Sequence, residues 1–209
     1  MKICGVNRMG ILIKLFEDNP NERILRDIAD RLWQGGVIIY PTDTIYAIGC
    51  DIMNPKAVRR VASLKGLKAE KADFSIICGS QSEIAEYAKV SNTLFKEMKR
   101  LLPGPYTFIL PATSKLPNVL MNKRKTVGVR IPDNFIPRSI VEVLGNPLLT
   151  TSIETEDEIT ETDPELIYET YRDKVDMVID GGYGKNTAST VLDCTGNEIV
   201  VLREGLGLF

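Results

Sequence analysis

Gly35-Gly36-Val37-Ile38-Ile39-Tyr40-Pro41-Thr42-Asp43-Thr44-Ile45-Tyr46-Ala47-Ile48-Gly49-Cys50-Asp51 runs a short apolar segment straight into a turn of hydroxyls around one carboxylate. Residues 37–40 have the length and β-branched content of a buried strand, and Pro41, with no N–H to give a ladder, ends it. The loop that follows carries Thr42, Asp43, Thr44 and Tyr46, and loops at strand ends are where open α/β sheets place ligands. Two readings stand side by side: a Thr/Asp turn that satisfies its own backbone, or a cradle for a polar ligand.

Working outward, the glycine pair ends a helix with apolar Ile24, Leu25, Ile28 and Leu32 at helical spacing, with Asn19 expected as its cap and Pro20 as its first residue. Residues 45–50 read as the next strand, and Asn54-Pro55 repeats the cap signature before a helix with Val58, Val61, Ala62 and Leu64. Further strands are expected at 11–15, 74–78, 106–110, 126–131, 148–153, 177–179, 190–193 and 199–202, with helices at 82–89, 92–102, 136–144 and 163–171. Ile3 is read with the first strand. Several strands are joined by connections too short for a crossover helix, so the expected fold is one α/β domain over residues 1–209, a twisted mixed parallel/antiparallel sheet flanked by helices.

The chain contains no histidine, which removes Ser-His-Asp and Cys-His nucleophile activation, histidine bases and most transition-metal sites. Chemistry must run on charge and position, as phosphoryl and nucleotidyl transfer do. Cys4, Cys50, Cys78 and Cys194 show no C-x-x-C pairing, so free buried thiols are expected and no protein-built metal site. No apolar run approaches the roughly 18 residues of a membrane span, and a cytoplasmic protein without membrane contact is the expectation. With a net charge of −2, anion binding must come from local clusters of bases.

Five bases, Arg59, Arg60, Lys65, Lys68 and Lys71, gather at the end of the second helix, where cations also suit the helix dipole. Lys65, beside Gly66, is the one placed to reach a neighbouring phosphate. Lys123, Arg124 and Lys125 read as a solvated loop, whereas Arg130 and Arg203 lie on strands, where a buried arginine needs an anionic partner. Thr107, Thr150-Thr151-Ser152 and Ser189-Thr190 put hydroxyls at further strand ends. Together these describe a polar, positively charged pocket over the sheet.

Along nearly its whole length the chain resembles the YrdC/YciO family. The likeness rests on the 35–51 segment, the helix ending at Lys65, Pro103-Gly104-Pro105-Tyr106-Thr107, Val127-Gly128-Val129-Arg130-Ile131-Pro132, Asp180-Gly181-Gly182, Ser189-Thr190-Val191-Leu192-Asp193 and Leu202-Arg203-Glu204-Gly205. The resemblance implies a basic concave face that binds nucleotides or double-stranded RNA. In members with synthase activity, it implies formation of threonylcarbamoyl-AMP from ATP, L-threonine and bicarbonate with Mg²⁺ assisting, as a step in tRNA modification. Carried over residue by residue, it puts Thr42, Asp43, Thr44, Tyr46, Thr151 and Ser189 on the substrate side. Lys65, Thr107, Ser152 and Arg203 fall on the nucleotide, and Lys65 and Arg130 in catalysis. Leu67 stands where synthases carry an arginine, and Glu154 where they carry an asparagine. Between 152 and 171 eight acids (Glu154, Glu156, Asp157, Glu158, Glu161, Asp163, Glu165, Glu169) occur before any base. These departures point to the YciO branch. They keep two alternatives open: a tRNA or double-stranded RNA binder without synthase activity, and an enzyme acting on the threonylcarbamoyl group in another direction.

Overall fold

Alternation of side chains along a strand of three residues sorts the interior into two layers. In the computed structural model, which describes residues 9–69, 72, 74–153 and 161–209, the strand after Gly36 is β2, Ile38–Tyr40. Ile38 and Tyr40 pack with Ile28 and Leu32 of α1 (Glu22–Trp33) and Ile140 and Leu144 of α5 (Phe135–Leu144). Val37 and Ile39 pack on the other face with Val58 and Val61 of α2 (Pro55–Leu64). A period of two on the strand and of 3.6 on the helices therefore buries both sides of the sheet.

The remaining strands are β1 (Ile11–Lys14), β3 (Ala47–Gly49), β4 (Ser75–Ile77), β5 (Tyr106–Pro111), β6 (Thr126–Arg130), β7 (Leu148–Ser152), β8 (Met177–Asp180), β9 (Thr190–Asp193) and β10 (Val200–Arg203). They form one ten-stranded sheet in the order β1-β8-β2-β3-β7-β4-β6-β5-β9-β10. β1 and β2 pair parallel with β8, β4 with β6 and β5 with β9, while the other pairings are antiparallel, so the sheet is mixed as expected. Helices α3 (Gln81–Tyr87), α4 (Asn92–Leu101) and α6 (Pro164–Tyr171) complete the flanking set among the described residues.

One cap differs from the sequence reading. Asn21, not Asn19, starts α1: its Oδ1 accepts from the N–H of Arg23 at 2.9 Å and of Ile24 at 3.3 Å. It sits closer to the first buried position, Leu25, and Pro20 precedes the cap instead of opening the helix. Asn54 and Asp163 cap α2 and α6 as expected, accepting from Ala57 and Glu165. Cys50, Cys78 and Cys194 are free and buried, whereas Cys4 and Ile3 lie outside the described residues. Among the described residues no helix is long and apolar enough to cross a membrane.

Candidate functional site

The turn after β2 has both characters that its sequence allowed, divided between neighbouring residues. Thr42 secures the turn: its Oγ1 donates to the Ile45 carbonyl at 2.7 Å, accepts from Thr44 N–H at 3.0 Å and lies 3.0 Å from Thr44 Oγ1. Asp43 points instead at Arg130, whose Nη2 donates to Asp43 Oδ1 at 2.6 Å and to Thr44 Oγ1 at 3.3 Å. Asp43 Oδ2 accepts from the Asp133 N–H at 3.0 Å.

Arg130 and Asp43 are only 6% and 8% exposed, so this ion pair is largely withdrawn from solvent, in a lower-dielectric setting than a surface pair. Burial pulls the arginine below its usual pKa, and Asp43 opposes that. Arg130 Nε is buried without any hydrogen-bond partner, a donor whose desolvation is uncompensated in the protein alone.

Arg130 faces a cleft of about 490 Å³ built on the sheet. Its floor is a row across five strands, because Thr150 pairs with Ser75, Ser75 with Gly128, Gly128 with Ile109 and Ile109 with Asp193. At about 4.8 Å per strand this row is roughly 19 Å long. Gly128 keeps the floor low: a Cβ there would lie 2.2 Å from Ser75 Oγ. A second row, one pleat along, joins Thr107, Val191 and Arg203. Thr107 Oγ1 and Ser189 Oγ are 2.9 Å apart, and Arg203 Nη2 and Nε donate to the Ser189 carbonyl at 2.9 and 3.2 Å. Among the described residues hydroxyls dominate the lining, with Arg124, Arg130 and Arg203 against the single carboxylate of Asp193.

Of the residues singled out in the sequence, Thr44, Thr107, Arg130, Thr151, Ser152, Ser189 and Arg203 line this cleft together. Thr42 and Asp43 do not. They border a smaller depression of about 260 Å³ on the far side of the ion pair, with Glu17, Asp133 and Lys185. Tyr46 lines neither; its hydroxyl donates to the Gly182 carbonyl at 2.7 Å and accepts from Gly181 N–H at 3.2 Å, and burial pushes its pKa up to about 12. It anchors the loop after β8, whose Lys185 N–H donates to the Thr44 carbonyl.

Lys65 also stands outside the lining. Its ammonium donates to the Ser152 carbonyl at 3.1 Å, so it reaches the cleft through the end of β7. Arg60 ties α2 to Asp176 and to the Lys174 carbonyl, and Asp176 accepts from Val37 N–H, which makes it structural. Leu67 is 47% exposed. Glu161 and Asp163 are used locally, accepting from the chain at the start of α6, and Glu169 pairs with Arg172. Glu154, Glu156, Asp157, Glu158 and Lys71 lie outside the described residues.

Sequence reasoning placed Arg124 in a solvated loop, and the structure corrects this: it lines the cleft beside Thr126. It also passed over Ser75, Asn122, Thr126, Gly128, Asp193 and Thr195 as site residues, while Thr150, named there with its neighbours, lines the cleft. A signal for two of them was present, since stepping back by twos from Arg130 along its strand reaches Gly128 and Thr126.

Residues 30–205 match a family model named for Sua5, YciO and YrdC and described as telomere recombination. The uncharacterized protein YciO of Escherichia coli strain K12 is 41% identical over 201 residues, covering 95% of this chain and 97% of that protein. The crystal structure of E. coli YciO superimposes with a TM-score of 0.90 at 40% identity, again over 95% and 97% of the two chains. The crystal structure of Pyrococcus abyssi Sua5 complexed with L-threonine superimposes with a TM-score of 0.85 at 29% identity; the match covers 93% of this chain and 57% of that longer one. A threonylcarbamoyl-AMP synthase of the same organism is 30% identical over 198 residues, 90% of this chain and 56% of that protein.

Proposed function

Because the chain belongs to the Sua5/YciO/YrdC family, we propose that its cleft binds L-threonine and a nucleotide and works in threonylcarbamoyl-adenylate chemistry. The observation that carries this reading is Arg130, a buried cation held by Asp43 and Thr44 on the wall of a hydroxyl-lined cleft, with the N–H at Nε left without a partner. Such a cation is preorganised for an anion, its direction fixed by Asp43 and Thr44 before binding.

In the synthetic direction the carbamate formed from the threonine amine and bicarbonate is the nucleophile. Its oxygen bonds to the α-phosphorus of ATP as the bond to pyrophosphate breaks, leaving a mixed anhydride. The attacking group is already anionic, so no histidine base is required, and the protein's task is alignment and charge stabilisation. Arg130 and Thr44 would hold the carbamate or carboxylate, and Thr107, Ser189 and Arg203 the phosphate. Lys65, through the Ser152 carbonyl, would set the end of β7. Among the described residues no group of three metal-ligating side chains could hold Mg²⁺, so the ion would arrive with the nucleotide.

A second reading has its own support. Leu67 offers hydrocarbon beside Lys65, and that lysine's ammonium is engaged with the Ser152 carbonyl, so among the described residues this side of the rim is poor in cations for a triphosphate. On this reading the same cleft takes a threonylcarbamoylated nucleoside of tRNA and acts on it without ATP. Pyrophosphate release from ATP with L-threonine, bicarbonate and Mg²⁺, beside Arg130→Met and Lys65→Ala, separates the two. Threonine-dependent release lost in Arg130→Met supports synthesis. No release, with removal of the threonylcarbamoyl group from modified tRNA, supports the second; salt-steep tRNA binding with neither reaction leaves a binding module.

A further inference from the structure

Among the described residues Asp193 is the one carboxylate of the cleft lining, and it stands at the end of the floor row furthest from β7. Its Oδ1 accepts from Thr195 N–H at 2.9 Å and from Thr195 Oγ1 at 2.7 Å. Those two bonds, and Arg124 nearby, keep the carboxyl below the usual carboxylate range, so it is an anion when a ligand arrives. Oδ2 accepts nothing from the described residues, leaving one charged acceptor fixed in direction on the cleft wall. A turn cap alone would use Oδ1 in the same way, but it does not account for the place of the side chain in the lining.

A carboxylate repels phosphate, so the group it meets must be a donor. Arg203 lies opposite Val191, and its guanidinium bonds the Ser189 carbonyl, four residues before Asp193 along β9, about 13 Å of strand. A hydrogen bond of about 3 Å at each end plus the length from a 5′-phosphate to the vicinal hydroxyls of its own sugar spans that distance, short of the far edge of the base. Ile109, Val191 and Leu202 supply apolar surface between and beside the two groups, suited to the face of a sugar and the near edge of a ring. The lone carboxylate, with an arginine as neighbour, is unsuited to a divalent cation.

Resting on the nucleotide reading above, we propose that Asp193 Oδ2 accepts from the 2′,3′-diol of the bound nucleotide. It thereby fixes the ligand's direction in the cleft, sugar toward Asp193 and phosphate toward Arg203, and selects ribose.

The test compares ATP with 2′,3′-dideoxy-ATP by titration calorimetry on the whole protein. The wild type is expected to bind ATP about tenfold or more tightly than the dideoxy form, the usual worth of a hydrogen bond to a charged group. Asp193→Ala removes the preference while its affinity for dideoxy-ATP stays as in the wild type. Thr195→Ala, which leaves Oδ2 in place, keeps the preference. Should Asp193→Ala fail to fold, Asp193→Asn retains the Oδ1 acceptor for Thr195 and shrinks the preference to a neutral bond's few-fold. Equal wild-type affinities, or a preference that survives in both Asp193 variants, overturns the proposal while the nucleotide reading stands. Failure of the wild type to bind either compound overturns both.

Discussion

Asp43→Asn replaces the carboxylate behind Arg130 with a neutral amide of the same shape. The guanidinium would then be a buried cation whose remaining neighbours are the Thr44 hydroxyl, 3.3 Å away, and an amide oxygen. Removing one partner of a buried pair costs roughly 3–5 kcal/mol, because the desolvation of the other charge is no longer offset. A domain's whole stability is only about 5–15 kcal/mol, so the loss takes at least about a fifth of it. At about 2–4 °C per kcal/mol for this size, the melting point should fall by roughly 10 °C. Urea unfolding reads the free energy directly, with an unchanged m-value showing that the same surface is exposed.

The second arm of that experiment separates charge from packing. Arg130→Met in the Asp43→Asn background removes the orphaned cation and fills the space with a flexible apolar chain, so the double variant should regain most of what the single one lost. The coupling between the two sites should therefore be large, the double variant losing far less than the sum of the singles. If Asp43→Asn costs less than about 1 kcal/mol, or if the double variant is as unstable as the sum of the singles, the pair is not the buried charge balance argued here.

Three smaller perturbations probe the surrounding structure. Gly128→Ala should abolish measurable ATP binding by calorimetry with little change in melting point beyond a few degrees, since its Cβ would meet Ser75 Oγ at 2.2 Å on the cleft floor, and Ser75→Ala should restore part of the affinity. Asn21→Ala should cost about 1 kcal/mol in urea unfolding and Asn19→Ala almost nothing, because only the first removes a cap. Burial raises the Asp51 pKa above its ordinary value, against its bonds to Met53 N–H and Asn146. A raised folded pKa gives stability that is full below the unfolded value and lost as pH rises through the folded one. Asp51→Asn should therefore gain on the wild type as the pH is taken upward from the acid limb, and a gap that narrows with rising pH would contradict this.

Strand and helix positions were legible because each element announces itself locally: four-residue apolar runs, Asn54-Pro55 and Asp163-Pro164 at helix starts, Gly35-Gly36 at a stop. The hydroxyls and arginines of the cleft were legible as a set for the same reason. What could not be read was which way each points. Thr42, Asp43 and Tyr46 share a loop with Thr44, yet only Thr44 reaches the cleft, since direction there is set by bonds to Ile45, Arg130 and Gly182 rather than by a strand's alternation. The bond from Lys65 to the Ser152 carbonyl could not be read either, since that carbonyl belongs to a strand 87 residues away. Arg124 and Asp193 come together only through the pairing of β5 with β6 and β9, which no local pattern encodes.

The turn and the site are one device, which explains why a stretch so rich in side-chain hydrogen bonds is also so buried. Thr42 satisfies the turn's own backbone, which frees Asp43 and Thr44 to face Arg130. Asp43 compensates the arginine's charge on one side while Nε is left without a bond. An unpaired buried donor costs about 1–3 kcal/mol, and a ligand oxygen that reaches it recovers that amount on binding. On the proposed reading, part of the free energy of binding is stored in the fold before the ligand arrives. The same anion should therefore raise the melting point of the wild type by more than that of Arg130→Met, and thermal shift with L-threonine against L-threoninol, which lacks the carboxylate, measures it. Equal shifts for the two ligands would mean that Arg130 Nε does not meet the carboxylate.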